Sequence, residues 1–156
     1  MNKQIGKIIA LSVSSKKGVK KKNVSRAHFS ENFGIDGDAH AGRDHRQVSF
    51  LALESFAKIR AQGLDVQPGD FAENITTRGI DWSKVKIGDA IQLGARVVLD
   101  VSQIGKVCHK PCSIYHQVGS CIMPSEGIFG VVTKGGEVLV GDALVHNPAK
   151  APLTRR

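Results

Sequence analysis

Apolar positions in this chain recur in short alternating runs, the pattern of half-buried strands. Gly6 to Ser14, GKIIALSVS, reads as a first strand, and Val24 to Phe29 as a short second one. Gln47 to Leu53 reads as a third. Glu54 to Gln62 breaks the alternation: Phe56, Ile59 and Leu64 fall at roughly helical spacing, and Gly63 supplies a stop. After a Pro68-Gly69-Asp70 turn, Phe71 to Thr77 reads as a strand or strand end. Ala95 to Ser102, ARVVLDVS, is a strong strand signal. Gly127 to Thr133 and Glu137 to Val140 flank Lys134-Gly135-Gly136, which predicts a hairpin.

One pattern occurs twice. Val85 to Leu93 reads VKIGDAIQL and Val138 to His146 reads VLVGDALVH. In both, glycine permits a bend and aspartate ties the turn. Two such corners predict a closed or strongly curved sheet. The 17 glycines among 156 residues support turn-rich β structure over a helical bundle. This length predicts one domain over residues 1–147 with a polar tail at 148–156.

Composition narrows the function classes. A formal net charge of +8 favours an anionic partner such as phosphate or nucleotide. Aromatic content of only 5% leaves few stacking platforms, which weakens the case for a single-stranded nucleic-acid binder. No apolar run approaches a membrane span or a signal peptide, and three cysteines cannot all pair internally. The expectation is a reducing, cytoplasmic setting without membrane contact.

Candidate chemistry gathers in three places. The first is the loop SSKKGVKKKNV, whose Lys16, Lys17, Lys20, Lys21 and Lys22 could hold a phosphate as mobile point charges. It is not a P-loop, because G-x-x-x-x-G-K-[ST] is missing. The second is GIDGDAHAGRDHRQVSFL. Here Asp36, Asp38, His40, Asp44 and His45 could ligate a metal, although the bidentate glutamate of a calcium loop is absent. Arg43 and Arg46 could grip a phosphate or carboxylate bidentately.

The third is VCHKPCSIYHQVGSC. It holds all three cysteines, Cys108, Cys112 and Cys121, with His109 and His116 between them. Pro111 can start a short helix and Gly119 can end it. Cys112 would then sit in the first turn, where free amides favour a thiolate, with His116 one turn further on. Three readings stand side by side: small buried hydrophobes, a zinc site and a single functional thiolate at Cys112. The spacing C-x3-C-x3-H-x4-C lacks the tight C-x-x-C turn of a zinc knuckle, which argues against the zinc-dependent nucleic-acid binder.

Four segments together resemble the MOSC domain, found at the C-terminus of molybdenum-cofactor sulfurases and as free-standing proteins. They are GIDGDAHAGRDHRQVS, GDFAENITTRGIDW with VKIGDAIQLG, VLDVSQIGKVCHKPC, and GIFGVVTKGGEVLVGD. The resemblance runs from about Gly34 to Asp142 and implies a mainly β fold, a barrel with a few short helices. It implies molybdenum cofactor (molybdopterin) binding, with Cys112 as persulfide carrier or molybdenum ligand. It carries over His40, Arg43, Arg46, Gln47, Glu73 and Asn74 as cofactor-binding positions. Glu73 and Asn74 would face the pterin. Ser113 stands where the family often has an aromatic residue, and Cys108 and Cys121 are additional.

The chain lacks the pyridoxal-phosphate domain of full sulfurases, so no pyridoxal phosphate is expected on it. Sulfur would come from a cysteine-desulfurase-like partner, or the chain would serve a molybdenum enzyme. The alternative is a small molybdenum-dependent reductase of N-hydroxylated compounds with a separate electron donor.

Overall fold

The computed structural model describes residues 3–42, 45–105 and 126–149. Their strands, in chain order, are β1 (Gln4–Val13), β2 (Lys22–Val24), β3 (Arg26–Ser30), β4 (Gly34–Ile35), β5 (Val48–Ala52), β6 (Ile75–Arg78), β7 (Ala90–Leu93), β8 (Val97–Ile104), β9 (Ile128–Lys134), β10 (Gly136–Leu139) and β11 (Ala143–Asn147). The α-helix that lies wholly within the described residues, α1 (Ala57–Arg60), is a single turn.

Seven strands close a barrel. The hydrogen-bonded order is β11-β7-β8-β9-β5-β6-β1, and β1 pairs back to β11. β1 can serve several neighbours because it is long: β11 takes Gln4 to Lys7, and β2 takes Leu11 to Val13. Closure leaves this ring no open edge, the usual liability of a sheet. Ile8, Leu11, Phe50, Ile75, Ile91 and Leu99 fill the interior and are fully buried.

Barrel neighbours run antiparallel except β5 and β6, which are parallel. Parallel neighbours need a crossover of a dozen or more residues, and residues 53–74 supply it. The predicted helix over Glu54 to Gln62 is shorter in fact: a 3-10 turn, Leu53–Phe56, runs into α1. This crossover packs Phe56, Ile59, Val66 and Phe71 on the outer face of the barrel with Leu51 and Phe129. β5 is therefore buried on both faces, Val48 and Phe50 inward and Leu51 outward, and all five of its residues are buried, Ser49 included.

The repeated Gly-Asp pattern forms two matching corners. In one, Asp89 N–H donates to the Lys86 carbonyl and Lys86 N–H donates to Asp89 Oδ2. In the other, Asp142 and Leu139 exchange the same two bonds. Gly88 and Gly141 hold φ +98 and +95, a region L side chains rarely adopt. Each corner also hooks a neighbouring strand through a pair of backbone bonds, Val101 for the first and Ile8 for the second.

Three predicted elements need correction. The hairpin at Lys134-Gly135-Gly136 does not form: β10 pairs with β3, and β3 with β4, in a separate three-stranded sheet. A Cβ on Gly135 would sit 2.6 Å from the Phe29 carbonyl, so glycine lets the chain pass β3 at close range instead of folding back on β9. The predicted second strand is split at Ser25 into β2 and β3. The predicted strand from Phe71 starts only at Ile75, because Ala72 takes φ +62 and the preceding residues form turns. Among the described residues no helix is long and apolar enough to cross a membrane.

Candidate functional site

Three loops meet at one end of the barrel: residues 14–21 after β1, residues 36–47 before β5, and residues 66–74 before β6. A buried ion pair joins the first two. Lys21 Nζ donates to Asp38 Oδ1 at 2.8 Å, and both side chains are fully buried. Asp38 Oδ1 also accepts from the Ser14 amide at 3.1 Å, and Oδ2 accepts from the His40 amide at 3.1 Å. Lys21 Nζ reaches Ser14 Oγ at 3.0 Å, and Ala39 N–H donates to the Ser14 carbonyl. Burial works against ionisation of Asp38. The His40 side chain, Lys21 and the Ser14 amide outweigh it and hold the carboxyl well below its usual range. The third loop joins through backbone, Lys21 N–H to the Gly69 carbonyl at 2.9 Å.

Lys21 thus faces inward, while Lys16, Lys17, Lys20 and Lys22 are exposed and form no ion pair among the described residues. Sequence alone could not select Lys21 from that run. Arg46 is half-buried and likewise has no ion pair among the described residues. The His40 ring keeps Nδ1 buried without a hydrogen-bond partner among the described residues, 3.7 Å from Asp38 Oδ2. Gln47 is buried and bridges strands: its Oε1 accepts from Val132 N–H at 3.1 Å. Among the described residues no three His, Cys, Asp or Glu side chains gather to hold a metal, so Asp36, Asp38, His40 and His45 do not form the metal set their spacing allowed.

Glu73 and Asn74 lie beneath this surface, both fully buried. Glu73 accepts from the Gly69 and Phe71 amides and from Thr76 Oγ1 at 2.8–3.1 Å. Burial pushes its carboxyl up, against the pull of those three donors. Asn74 Oδ1 accepts from the Ser49 amide, and Nδ2 donates to the Ser12 carbonyl. These two side chains tie the 66–74 loop, β5 and β1 together and present their polar atoms to the protein.

The cysteine stretch lies between β8 and β9, whose facing ends, Ile104 and Ile128, are level with Phe50 of β5, and Glu126 accepts a hydrogen bond from Lys58 of α1. Gly105 N–H donates to the Gly127 carbonyl at 2.6 Å, which closes the neck between β8 and β9 from which it leaves. Three residues before Gly105, Ser102 Oγ donates to the His45 carbonyl, joining β8 to the 36–47 loop. Cys108, Cys112, Cys121 and the predicted 111–119 helix lie outside the described residues, as do Arg43, Asp44 and the tail from 150 onward.

A second buried acid–base pair, absent from the sequence reading, joins β7, β11 and β1. His146 Nε2 lies 2.8 Å from Asp89 Oδ2. Asp81 N–H donates to Gln4 Oε1, so Gln4 turns Nε2 toward His146 Nδ1 at 3.1 Å. His146 therefore accepts at Nδ1 and donates from Nε2 to Asp89. Asp89 accepts further from the Lys86 and Ala149 amides at 2.9 Å. Burial again opposes ionisation, and these donors with His146 hold the carboxyl below its usual range. Aspartate in a turn with a histidine on a paired strand was the available signal, but only strand register reveals it.

Comparison with known proteins agrees with this architecture. Residues 36–145 match the MOSC domain family. YuaD from Bacillus subtilis superposes with a TM-score of 0.79 at 20% identity, over 95% of this chain and 99% of that one. YiiM from Geobacillus stearothermophilus gives 0.70 at 20% identity, over 96% of this chain and 77% of that one. YiiM from Escherichia coli gives 0.66 at 18%, over 93% and 71%. At these identities the likeness speaks for the fold alone. No protein of curated function matches the sequence.

Proposed function

The chain belongs to the MOSC domain family, and on that premise we propose that it binds the molybdenum cofactor and handles its metal or sulfur through Cys112. One observation carries the reading. The end of the barrel that gathers Lys16, Lys17, Lys20 and Arg46 without ion partners among the described residues is tied through Ser102 and His45 to the root of the cysteine stretch. Cations without ion partners, on the loops that meet at Asp38, and a buried imidazole nitrogen without a hydrogen-bond partner among the described residues fit an anionic, hydrogen-bonding group. A phosphorylated pterin is such a group.

In this reading the lysines and Arg46, with Arg43, hold the phosphate. His40 contributes a ring nitrogen. Gln47, Glu73 and Asn74, occupied within the protein, shape the floor under the ligand. The bound cofactor would supply a molybdenum–sulfur centre for redox or sulfur-transfer chemistry. The Cys112 thiolate suits either a soft metal bond or a persulfide. For the persulfide it attacks the outer sulfur of a donor's persulfide, and the donor leaves as a thiolate. A cysteine-desulfurase-like protein fits as donor and a molybdenum enzyme as recipient.

Metal analysis, pterin fluorescence after oxidation and intact mass of protein from a molybdenum-replete host test this. Wild type should carry molybdenum and pterin, or a mass increment of one sulfur lost on reduction. Cys112→Ser should lose the metal or the increment. Unchanged retention of both in that variant overturns the role of Cys112, and absence of pterin, metal and sulfur from wild type overturns the reading.

A further inference from the structure

We infer that Lys21 and Asp38 are positioning residues that hold His40 with its proton on Nδ1, so that Nε2 accepts a hydrogen from an O–H or N–H of the bound ligand; this rests on the anion-binding reading above. The geometry calls for a proton on Nδ1, and in the neutral ring that leaves the lone pair on Nε2. Asp38 Oδ2 is 3.7 Å from His40 Nδ1, and Nδ1 is buried with no hydrogen-bond partner among the described residues. A lone pair on Nδ1 would face a carboxylate across a dry gap, two acceptors opposed where such repulsion is poorly screened. A proton on Nδ1 turns the same approach into attraction. Moving the ring by less than about 1 Å makes it a full hydrogen bond.

Asp38 has capacity for that bond. Among the described residues Oδ1 already serves Lys21 and the Ser14 amide, whereas Oδ2 serves only the His40 amide. Lys21 makes the arrangement possible, because an unpaired buried carboxylate would take up a proton and lose its hold on the ring. A carboxylate on one imidazole nitrogen setting the state of the other is the usual way a histidine is oriented.

The consequence is chemical selectivity. The lysines and Arg46 attract negative charge of any kind. An Nε2 lone pair favours an anion that still carries a proton and repels one that does not. Inorganic phosphate keeps an O–H at neutral pH; sulfate has none. Pterin itself offers N–H groups without a phosphate.

Nitrogen-resolved NMR of the imidazole ring in the full wild-type chain at neutral pH tests the proton's position. The expected signature is the Nδ1–H tautomer of His40, the minor form of free histidine. In Lys21→Met/Asp38→Asn, which removes both buried charges together, the signals should move toward the Nε2–H form. Titration with phosphate should shift the Nε2 signal and show at least about tenfold tighter binding than sulfate. His40→Ala should erase that preference while leaving sulfate binding intact. A shift with pterin alone would place the donated hydrogen on the heterocycle rather than on phosphate. An Nε2–H tautomer in wild type, equal affinity for phosphate and sulfate without a pterin effect, or no response to any of the three overturns the inference. None of those results bears on whether molybdenum and pterin co-purify, so the two proposals can fail separately.

Discussion

The barrel holds two buried acid–base pairs of the same length, 2.8 Å, with opposite character. Around Asp89 and His146 each polar atom has a defined partner. Gln4 serves Nδ1, Asp89 serves Nε2, and Asp89 is filled by the Lys86 and Ala149 amides. Around Lys21 and Asp38 the pairing stops short, because His40 Nδ1 beside them has no hydrogen-bond partner among the described residues. A network whose valences close within the protein serves the fold. One that stops short among the described residues is where the proposed ligand would find a bond. The first pair joins a barrel strand to the turn that leads into its neighbour, whereas the second joins two loops, which is where binding groups collect.

The comparison breaks most visibly at Asp38. Asp38→Ala leaves Lys21 charged, buried and alone, and should cost about 3–5 kcal/mol in chemical denaturation. Adding Lys21→Met should recover much of that loss. A double variant no more stable than Asp38→Ala would show that the carboxylate matters for its amide bonds and not for the lysine.

Asp89→Ala should cost less, about 1–3 kcal/mol by the same measurement, because it leaves a neutral imidazole and two amides without an acceptor instead of a bare charge. A loss matching that of Asp38→Ala would erase the distinction drawn here.

Acid titration sharpens the contrast. Asp38 and Asp89 both have folded values below their unfolded ones, so on acidification the unfolded chain takes up protons first. Their stabilisation is complete above the unfolded carboxyl range and falls away as pH drops through the folded values. Glu73 runs the other way. Its folded value is raised, so its contribution is present below the unfolded value and is lost as pH rises through the folded one. Stability of Asp89→Asn measured against pH should show a shallower acid slope than wild type. Glu73→Gln should flatten any decline on the rising side. An unchanged acid slope in Asp89→Asn would remove that carboxyl from the account.

The smallest stability effect belongs to the exposed lysines. Replacing Lys16, Lys17 and Lys20 by alanine should change stability by no more than about 0.5 kcal/mol for each residue. The same variant should weaken phosphate binding and reduce its salt dependence, because screening acts on exposed charges. Unaltered phosphate binding would move the anion away from this loop.

Some of this was legible before folding. The two Gly-Asp corners are local devices: glycine at positive φ and an aspartate bonded three residues back depend on neighbours in the chain, so the motif and the curved sheet could be read together. The four MOSC-like segments could be read for the same reason, since each is a contiguous run. The Gly135-Gly136 signal misled because a hairpin also requires the flanking strands to prefer each other, and β3 competed successfully for β10.

The partnerships were decided elsewhere. Lys21 and Asp38 are 17 positions apart, and Asp89 and His146 are 57 apart. Five lysines in one loop look alike on paper, and only the packed β1–β2 connection turns one of them inward. Glu73 and Asn74 are adjacent residues of a polar run, yet folding directs both into the protein. Chain-local chemistry thus set the strands, the corners and the family. Which charges are spent on the fold and which remain for a ligand depended on burial and strand register, because a charge's worth is set by the groups around it in space.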